Sequence, residues 1–407
     1  MNVTRNPVPH LQPPSDRAGH RTAGPAHERN ISLVDGALGE ALLNVELALT
    51  SFGSWDEVTH AYDPRSVTAR ELRGDGALPE GLFYGAPAAA FVFDAADVDG
   101  TARYANVLVD LDKVVKTLTA AHLTAIKERK AAGLAPLIDE VNLFNGLIGL
   151  GVLLLRRAPH SRTLSRVVDH VVDLTRDLSL DGVRVPGWWA DPRLFAPHEG
   201  YAELGMEQGA AGLLAFLASA IRAGHGDQVP KAAFDSLVGW LDAWKQDGPD
   251  GPWWPYRLSL DELRTGRSIQ ATPSAPTWVG TVGIARALQM AGIVTGEPAW
   301  RETAEQAMAS ALSPQSLGRL TDPGLVTGTA GVYQTAFRAV QDAASPLLRQ
   351  RLTVAAEALA RTGRGWAEDT ALLTGRSGTR LANQTLLRRW EPVCGWDRCL
   401  GIAWADS

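Results

Sequence analysis

Cysteine is nearly absent from this sequence. The 407 residues contain two, Cys394 and Cys399, which excludes a disulfide-stabilised scaffold. Their spacing also matches no four-ligand zinc pattern, so we interpret both as ordinary, partly buried thiols. This scarcity favours a reducing compartment, and we expect the protein in the cytoplasm.

Long apolar runs and long basic runs are missing as well. The longest apolar stretch, residues 146–155, is too short to span a bilayer, and the N-terminus lacks the apolar core of a secretory signal. The formal net charge is −6, without a basic cluster. These features argue against nucleic acid and membrane partners. With 45% apolar residues, the chain can nevertheless bury a substantial core.

The first 30 residues differ in composition from the rest. They contain five prolines among arginine, histidine, serine and glycine, and such a mixture does not bury apolar surface. We predict a disordered tail over residues 1–30 and one folded domain over 31–407. In that domain almost no stretch alternates with the period of a strand, which predicts an all-α fold.

One pattern recurs through the domain: glycine, two residues, glycine or alanine, then an apolar run. The seven copies are Gly36-Ala-Leu-Gly39, Gly85-Ala-Pro-Ala88, Gly146-Leu-Ile-Gly149, Gly209-Ala-Ala-Gly212, Gly280-Thr-Val-Gly283, Gly328-Thr-Ala-Gly331 and Gly375-Arg-Ser-Gly378. Glycine costs a helix about 1 kcal/mol relative to alanine. Repeated pairs at helix starts therefore indicate close approach of backbones.

Segments between the copies have the spacing of amphipathic helices, as in residues 161–180. We interpret these as outer helices, and the apolar runs after each glycine pair as inner ones. About seven inner and seven outer helices close most simply into an α/α toroid. An open solenoid of helix pairs would give the same local signals. A toroid would gather all the inner-helix N-termini at one end.

Several motifs resemble one known family. They are Pro186-Gly-Trp-Trp189, Glu203-Leu-Gly-Met-Glu-Gln-Gly-Ala-Ala-Gly212, residues 278–288, Gly324-Leu-Val-Thr-Gly-Thr-Ala-Gly331 and Trp396-Asp-Arg398. The sequence resembles the lanthionine synthetase C-like cyclases from about Ser32 to its C-terminus. The resemblance implies an α/α toroid that forms thioether rings in ribosomally made peptides.

The resemblance also implies a zinc site, but this chain lacks the ligands. The family's zinc-binding cysteine, cysteine and histidine fall at Trp278, Val326 and Thr327. A further family histidine falls at Gln208, and a family acidic residue at Asn142. We therefore expect no metal and no other cofactor. The family includes zinc-free branches that are joined to kinase-like and lyase-like domains, and this chain resembles a free-standing cyclase of that kind.

The expected reaction adds a cysteine thiol to a dehydrated serine or threonine in a precursor peptide. A thiolate attacks, and a free cysteine has a pKa of about 8.5. Without zinc the ionisation penalty is on the order of 2 kcal/mol, which positioning can replace. No kinase signature is present, so the expected partners are the precursor peptide and separate kinase-like and lyase-like enzymes.

A zinc-free cyclase needs a base for the thiol and an acid for the enolate. We predict catalytic roles first for Glu207 and His198, and then for Gln208, Thr327 and Arg376. The opposing interpretation treats Glu207 as a helix-dipole partner and His198 as a solvated loop residue. Residues directly before a glycine pair, such as Thr327, can also be N-caps, whereas glutamine is a poor cap.

The predicted substrate-binding residues are Asn142, Asn145, Trp189, Glu203, Trp278 and Arg398. Asn145 can equally cap its helix, and Arg398 can equally be clamped by Asp397. Tryptophans more often pack than bind ligands, although Trp278 would stand where the metal was.

Two other functions fit parts of the sequence. A glycoside hydrolase would use paired carboxylates near tryptophan, as with Glu203, Glu207 and Asp191 near Trp188. The glycine pairs argue against that hypothesis. The stronger alternative is a scaffold that has lost its metal and binds the peptide or the modifying enzymes, because the fold alone does not separate a cyclase from a scaffold.

Overall fold

The computed structural model describes residues 31–63, 81–190, 200–248, 251–362 and 369–405, so the predicted tail over residues 1–30 lies outside it. The described ranges are mainly helical, and none of their helices is long and apolar enough to cross a membrane. The helices are α1 (Ala37–Leu49), α2 (Trp55–Ala61), α3 (Gly85–Ala96), α4 (Ala105–Ala131), α5 (Leu147–Arg157), α6 (Arg162–Leu174), α7 (Ala210–Ala220), α8 (Lys231–Trp244), α9 (Leu260–Thr265), α10 (Thr281–Thr295), α11 (Pro298–Ala311), α12 (Pro314–Leu317), α13 (Thr329–Asp342), α14 (Pro346–Thr362) and α15 (Arg376–Arg388).

Seven of these helices begin at the seven glycine pairs and form a closed inner ring. In chain order they are α1, α3, α5, α7, α10, α13 and α15. Each packs against the next, and α15 packs against α1. The contact between the first and last members distinguishes a toroid from an open solenoid, so the predicted closure is confirmed. Every residue of α3 and α7 is buried, as expected for helices covered on both sides.

An outer layer covers the ring. Helices α2, α4, α6, α8, α11 and α14 alternate with the inner helices and pack on them. Outer helices begin at ordinary caps: Ser54 and Glu57 form a capping box at α2, and Ser161 caps α6. After α15 the chain turns into the ring, so the described ranges hold six outer helices of this alternating kind.

Three short two-stranded sheets interrupt the helices. Strands β1 (Leu178–Leu180) and β2 (Val183–Val185) pair, as do β4 (Gln246–Gly248) and β5 (Gly251–Trp253), and β3 (Tyr201–Glu203) pairs with β6 (Arg257–Ser259), all antiparallel. Three residues are too few to show alternation in the sequence. The outer helix expected within residues 161–180 accordingly ends at Leu174, and β1 follows it.

In six of the seven pairs the second residue is glycine, and it lies against the loop that precedes it. A Cβ at Gly331 would lie 1.7 Å from the carbonyl oxygen of Leu325, and one at Gly149 would lie 2.1 Å from that of Leu143. Real Cβ atoms do not approach so closely, so a side chain would push the loop away from the helix. The close approach of backbones predicted from the repeat is therefore present.

Backbone hydrogen bonds join the loops in front of the inner helices to one another, and we call these seven loops the loop ring. Six of its seven joints carry an N–H to carbonyl bond of 2.7 to 3.2 Å: Leu33 to Phe83, Phe83 to Phe144, Leu143 to Glu207, Met206 to Val279, Leu325 to Leu373, and Leu372 to Val34. Among the described residues, no such bond joins the fifth loop to the sixth.

A segment after α15 lies inside the ring. Residues 394–405, which we call the central segment, are almost entirely buried. The Asp397 carboxylate accepts hydrogen bonds from Arg338 and Gln334 of α13, and the Ile402 carbonyl accepts one from Arg286 of α10. The Cys394 N–H donates to Glu46 of α1, and Gly401 lies near Leu143 and Met206 of the third and fourth loops. The segment therefore occupies much of the centre of the toroid. A cavity remains between it and helices α3, α5 and α7, lined in part by Phe91, Phe216 and Arg398.

Candidate functional site

One position recurs in each loop of the loop ring. It lies five residues before the second glycine or alanine of the pair, and it holds Val34, Phe83, Phe144, Glu207, Trp278, Val326 and Leu373. Rings from different loops meet there: Phe83 and Phe144 are 4.5 Å apart between centroids, and Phe144 and Trp278 are 5.6 Å apart. Six of the seven residues are apolar. Glu207 is the charged member of the set.

Trp278 connects this aromatic cluster to the central segment. Its indole is fully buried, is nearly parallel to the ring of Phe144, and donates a 3.0 Å hydrogen bond to the Leu400 carbonyl. Together, Phe83, Phe144 and Trp278 form an aromatic floor at the end of the toroid where the inner helices begin. We call the candidate site over this floor the cup.

A buried ion pair stands beside Glu207. Glu203 ends β3 and lies directly opposite Arg257, the first residue of β6. The Glu203 Oε1 atom accepts bonds of 2.6 Å from Arg257 Nη2 and 3.2 Å from Nε. The Glu203 side chain is 1% exposed and that of Arg257 is 27% exposed. Burial raises the pKa of Glu203, and the adjacent guanidinium opposes that rise.

Two side-chain amides extend the hydrogen-bond network that starts at the ion pair. Gln208 Nε2 donates to Glu203 Oε1 over 2.7 Å, and Gln208 Oε1 accepts from Asn142 Nδ2 over 3.2 Å. The Asn142 Oδ1 atom accepts the backbone N–H groups of Phe144 and Asn145. The sequence resemblance places a family acid and a family histidine at Asn142 and Gln208, and the fold brings the two side chains into direct contact.

Glu207 has an unusual proton affinity. Burial, followed by the negative charge of Glu203, raises its pKa from 4.5 to about 7, while a hydrogen bond from Asn142 and the charge of Arg257 oppose the rise. Glu207 therefore has both protonation states available near neutrality. Burial and the same two carboxylates raise the pKa of the neighbouring Tyr256 phenol.

The positions of the family's zinc ligands do not fit a zinc ion. The Trp278 indole N–H is bonded to Leu400, Val326 has no donor atom, and the Thr327 hydroxyl lies 2.6 Å from Asp322 Oδ2. Zinc in proteins requires thiolate, imidazole or carboxylate ligands. Within the part of the chain described, no group of three or more His, Cys, Asp or Glu residues is placed to hold a metal.

The fifth and sixth loops differ from the others at their joint, where the described residues form no backbone hydrogen bond. The first glycine of the fifth pair also has more room than that of the sixth. A Cβ at Gly280 would meet only the Thr277 side chain, at 3.3 Å, and its backbone at 4.0 Å, whereas one at Gly328 would lie 2.4 Å from the Asp322 carbonyl oxygen. Val326 and Thr327, directly before the sixth glycine pair, are half-buried.

The other predicted residues are more widely spread. Arg376 begins α15 and is half-buried. Arg398 is buried in the central segment and donates to the Cys394 carbonyl, while Asp397 pairs with Arg338 rather than with Arg398. Trp189 lies in the core, 2% exposed. His198 falls outside the described residues.

The residues before the glycine pairs do not act as side-chain caps. In six of the seven inner helices the first glycine is itself the N-cap, and α3 has Tyr84 there. None of the seven receives a side-chain cap bond. The capping alternative for Asn145 and Thr327 is therefore wrong. Asn145 Oδ1 is instead buried without a hydrogen bond.

Sequence reasoning missed Tyr256 and Arg257. They follow Trp253, Trp254 and Pro255 in a segment without helical periodicity, and they reach the site only through the pairing of β6 with β3. Nothing in a three-residue strand indicates its partner. The one available signal is a charged residue next to a Trp-Trp-Pro-Tyr run, which is too general to assign a role.

Comparison with known proteins agrees with this architecture. The family model for lanthionine synthetase C-like proteins matches residues 27–382. Among solved structures, nisin cyclase superposes with a TM-score of 0.75 and 17% sequence identity, covering 95% of each chain. No curated protein sequence matches the chain. At this identity the superposition shows the fold, an α/α toroid. The family match spans most of the sequence, and this chain belongs to the lanthionine synthetase C-like family.

Proposed function

We propose that this protein is a lanthipeptide cyclase that works without zinc. It binds a precursor peptide containing dehydroalanine or dehydrobutyrine and promotes intramolecular addition of a cysteine, forming a lanthionine or methyllanthionine ring. The family membership supports a cyclase-type protein with a peptide substrate. Independence from zinc rests on the side chains found where the ligands would be.

The observation that carries this proposal is the position of Glu207. It occupies in the fourth loop the place that Trp278 and Val326 occupy in the fifth and sixth, which are the places of the family's two cysteine ligands. A carboxyl group therefore stands at the level of the ring where the metal chemistry would occur. Its pKa of about 7 suits proton transfer at neutral pH.

The proposed reaction needs one proton to move twice. The Glu207 carboxylate takes the proton from the cysteine S–H, and the thiolate attacks the β-carbon of the dehydro residue. A carbon–sulfur bond forms, and the π electrons of the double bond move onto the α-carbon and the adjacent carbonyl. Glu207 then returns the proton to the α-carbon, so the peptide keeps its mass. Asn142 would help to hold the carboxyl, and Gln208 links Asn142 to Glu203.

The remaining predicted residues keep supporting roles in this proposal. Thr327, Asn145 and Arg376 border the cup and would contact the peptide, and His198 is the second proton-transfer candidate. Trp189, Trp278 and Arg398 would act by supporting the walls and floor, since all three are buried. Separate kinase-like and lyase-like enzymes would supply the dehydrated peptide, in the cytoplasm.

A specific observation favours a second candidate, the non-catalytic scaffold. The central segment occupies much of the interior of the ring, and Trp278 is bonded to it, so a bound peptide would have little room inside the ring. A scaffold would bind the dehydrated peptide, or the kinase-like and lyase-like enzymes, without changing the rate of ring closure.

The test uses a synthetic peptide with one cysteine and one dehydroalanine. Ring closure is followed by thiol alkylation and mass spectrometry, because a closed ring no longer takes up the alkylating agent. We expect closure well above the spontaneous rate at the same pH. Glu207→Gln should lower the enzymatic rate about 100-fold or more, whereas Glu357→Gln, on the exposed surface of α14, should not.

A spontaneous rate that the protein leaves unchanged would favour the scaffold, especially if the peptide binds tightly. His198→Ala in the same assay decides whether the histidine shares the proton transfer with Glu207, since a structural loop residue would leave the rate unchanged.

A further inference from the structure

We propose that Arg257 and Glu203 are positioning residues: their buried ion pair fixes the direction of the Gln208–Asn142 amide chain and thereby holds Glu207 ready for proton transfer. This inference rests on the proposed function for its catalytic meaning. The ion pair and its effect on Glu207 are properties of the protein without substrate.

Backbone and side-chain contacts hold both members of the ion pair in place. Backbone pairing of β3 with β6 places Glu203 opposite Arg257. The Arg257 guanidinium also lies over the Tyr201 ring, 3.8 Å from its centroid, and this contact restricts the arginine from its other side. The Trp188 indole donates to the Glu203 carbonyl over 2.9 Å. Both backbone and side chain of Glu203 are thus held in one place.

The charge of Glu203 sets the direction of the amides. A carboxylate only accepts hydrogen bonds, so Gln208 must present its NH2 group to Glu203. Its carbonyl oxygen then faces Asn142, which must donate in turn, while Asn142 Oδ1 accepts two backbone N–H groups. Each amide has one orientation that satisfies both neighbours. The chain of amides thus runs from the ion pair to Asn142, whose neighbour Leu143 donates its backbone N–H to the Glu207 carbonyl over 2.7 Å. The Asn142 amide in turn opposes the rise in the pKa of Glu207.

Four groups face Glu207: Glu203, Arg257, Tyr256 and the Asn142 amide. The negative charge of Glu203 affects it more strongly than the positive charge of Arg257. Two carboxyl groups this close also titrate as a coupled pair, because ionising one disfavours ionising the other. Removing the charge of Glu203 should therefore let Glu207 lose its proton at lower pH, in one simple step.

The experiment measures Glu207 directly. Infrared spectra of the free protein are recorded across pH 4 to 9, and the band of the protonated carboxyl is identified as the one that Glu207→Gln removes. The same titration is made on Glu203→Gln and on Glu203→Gln/Arg257→Gln, which leaves no unpaired buried charge. Glu46→Gln is the matched control, because Glu46 is 2% exposed and pairs with an arginine, Arg388, that is 22% exposed.

We expect the midpoint of the Glu207 band to fall by about half a pH unit or more in both Glu203 variants, and to stay in place in Glu46→Gln. The pH profile of ring closure should shift in the same direction. An unchanged midpoint in the double variant overturns the proposal, as does an equal shift in Glu46→Gln. If the midpoint shifts but the wild-type protein does not accelerate closure, the positioning pair stands and the cyclase proposal fails.

Discussion

The side chain of Trp278 donates its indole hydrogen to the backbone carbonyl of Leu400, 122 residues further along the chain. This bond ties the floor of the candidate site to the central segment inside the toroid. Both partners are completely buried, so neither has water as an alternative.

Trp278→Phe should therefore destabilise the protein. The substitution leaves the Leu400 carbonyl buried without its donor, which costs about 1 to 3 kcal/mol, before any loss of packing. Urea unfolding measures the change. Trp390→Phe is the control, because Trp390 is 73% exposed and should change stability by no more than about 0.5 kcal/mol. Equal losses of unfolding free energy in the two variants would show that the hydrogen bond does not stabilise the fold.

The glycine pairs allow a sharper comparison. Gly331→Ala places a Cβ against the Leu325 carbonyl oxygen, and we expect a loss of about 3 kcal/mol or more, with displacement of the loop. Gly239→Ala, on the exposed face of α8 with open space around it, should stabilise by about 0.5 to 1 kcal/mol. Thermal unfolding of both variants checks the difference in sign. A stable Gly331→Ala protein would mean that the loop can move away from the helix at little cost in free energy.

Stability should depend on pH through Glu207. Its pKa in the folded protein is about 7, above its ordinary value of 4.5, so the folded state binds the proton more tightly. The resulting stabilisation is fully present below pH 4.5 and is lost as the pH rises through 7, amounting to at most about 3 kcal/mol. The measurement is the difference in unfolding free energy between wild type and Glu207→Gln from pH 4 to 8. The corresponding difference in unfolding free energy between wild type and Glu357→Gln should not change with pH.

Chelation tests independence from zinc. Dialysis against a strong chelator should leave the ring-closure rate unchanged, and added zinc should not raise it, because the ligand positions hold Trp278, Val326 and Thr327. Metal analysis of the purified protein accompanies the assay. Zinc bound in a 1:1 ratio that is lost together with activity would contradict the proposal.

The ring itself could be predicted from the sequence, and the reason is steric. A helix start can lie against the preceding loop only where the side chain is absent or very small. Glycine provides this in six of the seven pairs and Ala88 in the other, so the repeat marks each inner helix. The sequence also pointed to Glu207 and Gln208, because they precede a glycine pair. Such signals are local, and they depend on spacing within a few residues.

Contacts between distant segments left no comparable signal. Arg257 contacts Glu203 because two strands of three residues each pair with one another. The Asp397 carboxylate forms its ion pair with Arg338 and not with Arg398, the next residue in the sequence. Residues 394–405 lie inside the ring, and no local pattern in the sequence indicated that position. A buried stretch at the end of a chain has the same composition whether it packs outside or inside a ring.

The central segment has a consequence for how the protein is made. Translation delivers the N-terminal part first, and residues 394–405 leave the ribosome after all seven inner helices. Until then Arg286 and Arg338 face the interior without Ile402 and Asp397, their partners from that segment. The ring can therefore reach its final packing only once residues 394–405 have been synthesised, and a chain that stopped before Asp397 would leave two buried guanidinium groups without those acceptors.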